Sequence, residues 1–239
     1  MWPFKKMSAD HALRALVNSL SQTLGHDLLS VVIYGSKTSE EYHEERSDVN
    51  VFVLLENASH DTLERIQKPI SAWMRAGHGL PILVQKSELQ IYADSLPIEF
   101  LDMQDHHKVI HGADPIQGLK IDRSNLRAQC RQELSIKQVK LRQAILLSDG
   151  DSKRLRRILL DSLASVLTLY RAALRLETDV PKGNKISAAK EFAKRADFDG
   201  DCLERLWEIH LRRATDNVND LAEHYLEGIG RALTYVSRK

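Results

Sequence analysis

Between residues 29 and 104 short apolar runs alternate with stretches in which apolar residues recur every three or four positions. The runs LSVVIYG, VNVFVLL, PILVQ and IEFLDMQ predict strands, and HALRALVNSLSQTL and DTLERIQKPISAWMRAG predict amphipathic helices, the second kinked at Pro69. After HGADPIQGLKIDRS the period becomes helical and stays so. NLRAQCRQELSIKQVKLRQAILL, SKRLRRILLDSLASVLTLYRAALRL, KISAAKEFAKRA, LERLWEIHLRRA and NDLAEHYLEGIGRALTYV are separated by breaks rich in turn formers, such as SDGD and DFDGD. The expected architecture is α+β: a small mixed-sheet domain over 1–118, then an all-helical bundle over 119–239.

Composition removes several function classes. Thirty-four basic and 33 acidic residues leave a formal charge of +1, so no global field draws the chain to nucleic acid or an anionic membrane. Neither partner is expected. Cys130 and Cys202 are too few for a disulfide framework or a cysteine zinc site. No run approaches the roughly 18 apolar residues of a membrane span, and MWPFKKM lacks the apolar core of a secretory leader. A cytoplasmic protein is expected.

The chemistry concentrates in IYGSKTSEEYHEERSDVNVFV. Gly35 and Ser36 end an apolar run, where a glycine permits close backbone approach and the pair offers an N–H and a hydroxyl to phosphate. Asp48 and Asn50 open the next run two residues apart, on one face of a strand. A strand ending in Gly-Ser, then an Asp-x-[Asp/Glu] opening another, resembles the DNA polymerase β-like nucleotidyltransferase superfamily, and the segment to HHKVIHGADP resembles its bacterial antibiotic-adenylyltransferase-type members. In that family two carboxylates on one strand and a third on a neighbouring strand bind two Mg²⁺, while Gly-Ser positions a triphosphate. The resemblance assigns Gly35 and Ser36 to nucleotide binding, Asp48 to catalysis and metal, Asn50 to metal, and Glu99 to catalysis and metal. It implies Mg²⁺-dependent transfer of a nucleoside monophosphate from a nucleoside triphosphate, ATP foremost, to a hydroxyl of a small molecule or protein, with the helical domain closing the acceptor pocket.

Two departures matter. Asn50 stands where the family has Asp or Glu, and a neutral amide does little to offset two cations about 3.5–4 Å apart. The intervening loop carries Glu40, Glu41, Glu44 and Glu45 against Lys37 and Arg46, charge that repels a triphosphate unless it faces solvent. Read as a strand, IEFLDM puts Glu99 and Asp102 on opposite faces, leaving Asp102 a structural hydrogen-bond partner.

Two other function classes stay open. A catalytically degenerate nucleotidyltransferase fold would act as an antitoxin-like binding module with a protein partner, whereas Arg205 and His210 resemble the Arg-x4-His element of HEPN ribonucleases. His107 and His111 would share a face if helical, a zinc spacing without a third ligand. DFDGDCLERLWE places Asp197, Asp199, Asp201 and Glu208 in EF-hand phase, but Cys202 holds the glycine position, and helix capping by Asp199 or Asp201 is the simpler reading.

Overall fold

Seven residues rich in aliphatic and β-branched side chains, Leu28–Tyr34, form strand β1 at the centre of a four-stranded sheet. A computed structural model describes residues 9–35, 49–178, 181, 183–214 and 218–238. Helix α1 (Ala9–Leu24) precedes β1; β2 (Asn50–Leu55), α2 (His60–Arg75) and β3 (Ile82–Gln85) follow. Then come α3 (Leu89–Ser95), α4 (Pro97–Asp105) and β4 (His107–Gly112). The sheet order is β3-β2-β1-β4. β1 is antiparallel to both neighbours, and β3 runs parallel to β2 because α2 carries the chain back across the sheet.

Strand alternation divides the side chains between two cores. Val31, Ile33, Val51, Val53 and Leu55 pack with the apolar stripes of α1 and α2. Val32, Phe52, Leu54 and Val84 pack on the other face with Ala93, Phe100, Met103 and Ile116, the Phe52 and Phe100 rings meeting edge-on at 6.0 Å. α2 begins where the Ser59 side chain accepts the Thr62 N–H, and it contains Pro69.

The segment IEFLDMQ is helical, not a strand. Pro97 suits a first helical position, where no intrahelical N–H is required, and Pro97, Phe100 and Met103 form a buried stripe at three-residue spacing. The strand reading followed Glu99, Leu101 and Met103; the buried set has the other period. Conversely HHKVIHG, which pairs His107 with His111 only if helical, is edge strand β4.

Helices α5 (Arg123–Ser148), α6 (Ser152–Leu174), α7 (Lys185–Arg195), α8 (Asp201–His210) and α9 (Val218–Ser237) complete the described chain. The chain divides into two compact units at Ile121/Asp122, with Leu96–Ile98 grouped with the helical one. Asp122, Asp151 and Asn184 cap α5, α6 and α7 through side-chain oxygens. Tyr170, Phe192 and Phe198 form an aromatic cluster in the helical core. Cys130 and Cys202 are buried free thiols; burial, with Asp199 nearby, pushes the Cys202 thiol up to about 12. No described helix is long and apolar enough to cross a membrane.

β4 closes on β1 through Gly112, whose φ is +77° and where an added Cβ would lie 1.9 Å from the Leu29 carbonyl oxygen. Gly112→Ala therefore forces backbone apart in a left-handed conformation. It should cost at least about 2 kcal/mol and lower Tm by about 4–8 °C in a calorimetric melt; an unchanged Tm would refute this packing.

Candidate functional site

The register of β1 sets the site. Tyr34 lies opposite Asn50 on β2 and His107 on β4, so the end of β1, the start of β2 and the start of β4 meet at one edge. Gly35 follows with φ +80°, and a Cβ there would stand 3.0 Å from Asn50 Nδ2. That conformation favours glycine, and a side chain there would have to push the Asn50 amide aside.

Gly35 differs from expectation in one respect. Its N–H donates to the His106 carbonyl at 3.1 Å, extending the β1–β4 ladder by a bond instead of pointing to a ligand. What Gly35 contributes is room. Asn50 is exposed and has the strand parity of Phe52 and Leu54, which directs it to the face covered by α4. Ser36, Asp48 and the acidic loop between them lie outside the described residues.

Because α4 is a helix, Glu99 and Asp102 stand three residues apart on one side of it, about 60° apart around the axis. This corrects their expected separation onto opposite strand faces, and it moves Glu99 from a strand to a helix. Strand β4, the neighbour of β1 opposite β2, carries no carboxylate. Both acids act on Tyr34: burial first, then the charges of Glu99 and Asp102, push its hydroxyl up to about 12. Tyr34 is thus a neutral phenol at any physiological pH, beside a pair of helical carboxylates.

α4 is held in place from its C-terminal end. The His107 ring has Nδ1 2.7 Å from the Met103 carbonyl oxygen and Nε2 2.8 Å from Asp114 Oδ2. A carbonyl oxygen only accepts, so Nδ1 donates, and a protonated ring donates from Nε2 as well. Partial burial pushes the Asp114 carboxyl up, but bonds from His107 and from the Ile116 and Gln117 N–H groups outweigh it and hold the carboxyl below its ordinary value. His107 is therefore a positioning residue for the acid-bearing helix. Among the described residues no three of His, Cys, Asp and Glu converge as a metal site, which includes the His107/His111 and Asp197–Glu208 motifs. Asp199 accepts the Asp201 N–H, and Gly200 is the N-cap of α8.

In the helical unit His210 ends α8 with its ring stacked 5.3 Å from Trp207. Arg205 is five residues earlier, about 140° away around the helix, so the two share no face. Sequence reasoning missed Arg171 and Arg175, which are buried. The signal was present: they continue the i+4 series Leu163, Leu167, and an arginine in the phase of an apolar seam is taken out of water.

No protein-family model and no curated protein matches the sequence. A solved structure with the same architecture is the spectinomycin adenyltransferase AAD(9) of Enterococcus faecialis, crystallised with ATP and spectinomycin. The match covers 96% of this chain and 99% of that one, with a TM-score of 0.60 and 15% identity. The chain shares the fold of that structure, a small mixed sheet followed by helices.

The Tyr34 environment is directly measurable. Glu99→Gln or Asp102→Asn removes one negative charge and should lower the Tyr34 pKa below about 12. The value should stay above that of a free tyrosine, since burial remains. Alkaline ultraviolet difference titration against a Tyr34→Phe baseline reads this, and a pKa indifferent to both substitutions would remove the acids from its surroundings.

Proposed function

We propose that the protein is a nucleotidyltransferase that moves a nucleoside monophosphate, AMP foremost, from a nucleoside triphosphate to a hydroxyl of a small molecule. The observation that carries this reading is the edge where Gly35 makes room beside the Asn50 amide, on the sheet face that also holds Glu99 and Asp102 around Tyr34. The adenyltransferase of the same fold, solved with ATP and spectinomycin, supports the reaction class.

The donor set suits a hard cation. Asn50, Glu99 and Asp102, together with Asp48 two residues before Asn50 in the sequence, offer oxygen ligands, the chemistry of Mg²⁺. Asp48, Asn50 and Glu99 would hold the ion, with Asp102 beside them. Bound there, Mg²⁺ neutralises phosphate charge.

The chain's own groups do the rest. Gly35 leaves the phosphates unobstructed beside Asn50, and Ser36 offers its hydroxyl to them. Glu99 or Asp102 accepts the acceptor's hydroxyl proton as oxygen attacks the α-phosphate and pyrophosphate leaves. Tyr34, held neutral, donates a hydrogen bond without adding a third negative charge. Positioning and charge placement supply most of the acceleration in such transfers.

The test is thermal unfolding with each ribonucleoside triphosphate, with and without Mg²⁺, followed by pyrophosphate release against a panel of hydroxylated acceptors. Nucleotide at about 100 times its Kd adds about 2.7 kcal/mol and should raise Tm by about 5–10 °C. Asp48→Ala should abolish both shift and turnover, while Asn50→Asp preserves or raises turnover. Nucleotide binding without pyrophosphate release would favour the binding-module alternative, for which the neutral Asn50 speaks.

A further inference from the structure

Helix α5 has two apolar seams. One, through Leu126, Cys130, Leu134 and Leu141, is buried, and α5 packs on α6 and α9. The other, Ile136, Val139, Leu146 and Leu147, is 37, 52, 80 and 64% exposed. At about 100° per residue these four fall within about 100° of arc, roughly opposite the buried seam. They extend about 16 Å along the axis.

Their spacing is that of a helix-pairing surface. Positions 136, 139, 143 and 146 alternate three and four apart, the a/d pattern of a heptad, with Gln143 as the single polar residue in the row. Lys140 and Arg142 occupy the flanking e and g positions, both exposed, and residues 134–148 contain no acid. Between 137 and 157 stand seven Lys or Arg against two Asp, in a chain whose net charge is +1. The basic excess is therefore local to this seam and the turn that follows it.

Charge selects the occupant. A second copy of α5 would set Lys140 and Arg142 against their own counterparts with no acid in 134–148 to offset them, Arg142 sharing its groove with Glu223, Glu227 and Arg231 of α9, whereas a helix with Asp or Glu in its own flanks pairs with both sides. Nucleic acid is a poor match, because the stretch offers aliphatic side chains and no aromatic ring to stack a base. We propose that the outer face of α5 docks an acidic amphipathic helix of a partner protein, its apolar residues on Ile136, Val139, Leu146 and Leu147 and its carboxylates on Lys140 and Arg142. Gln143 would fix the register, as a polar residue in an apolar row does elsewhere. This rests on nothing in the nucleotide site.

A synthetic 21-residue helix tests it: three heptads with Leu at a and d and Glu at e and g, whose Glu flanks keep it from pairing with itself, carrying a fluorescent label. Fluorescence anisotropy against the full-length protein should give a Kd at least tenfold lower than for the same peptide with Lys at e and g. Val139→Asp/Leu146→Asp, both at exposed positions, should abolish the binding while leaving the far-ultraviolet circular dichroism melt unchanged. Equal affinity for the two peptides would overturn the proposal, as would binding that survives the double substitution. Sedimentation velocity of the protein alone adds a third arm. A dimer that the double substitution dissociates would show that a second copy covers the face, and would equally overturn it.

Discussion

Tyr34 ends a strand that is hydrogen-bonded along both edges, and its two partners in register, Asn50 and His107, are what bring the rest of the site together. A slip of β1 by one residue against β2 would turn Val32 and Tyr34 toward α1 and α2 and move Val31 and Ile33 to the α4 face. Two full apolar cores oppose that slip, so the register is tightly specified. Gly35 falls beside Asn50 as a consequence, and the committed Gly35 N–H adds a further bond to the β1–β4 side.

The acids belong to a different element, and their placement depends on polar bonds. α4 lies on the sheet through Phe100 and Met103, but a buried stripe alone leaves a helix free to shift along its axis. His107 pins the Met103 carbonyl from the strand that follows, and Asp114 holds the His107 ring from the turn beyond. Gln104 adds a bond from its Nε2 to the Leu119 carbonyl oxygen. Acids presented on a pinned helix, in place of acids on a strand, give the site a carboxylate pair without requiring any on β4.

How much of this was legible in the sequence depended on whether one local rule dominated. VVIYG and VNVFVLL read correctly because dense β-branched runs ending at Gly35 and opening at Asn50 leave little alternative, and the helices described after residue 122 read correctly because the apolar period is sustained, with a capping side chain agreeing at the start of α5, α6 and α7. IEFLDMQ was ambiguous. Seven residues with apolar side chains at both two- and three-residue spacing fit either element, and the proline that decides the matter, Pro97, immediately precedes them. β4 was hidden for the opposite reason: an edge strand carrying two histidines and a lysine has no apolar run to announce it. Of the candidate site, Gly35 and Asn50 are singled out by the motif, whereas the proximity of Asp102 to Tyr34 requires the helix.

The two cysteines have a practical meaning. Alkylation and disulfide exchange proceed through the thiolate, yet both sulfurs are buried and the Cys202 thiol is held protonated well above neutral pH. Thiol reagents thus meet a chain with no ready target even though it contains two cysteines. A single cysteine introduced at a solvent-facing position would become the reactive one by default, so dyes, spin labels or cross-linkers can be attached at chosen points while the native core sulfurs remain in place.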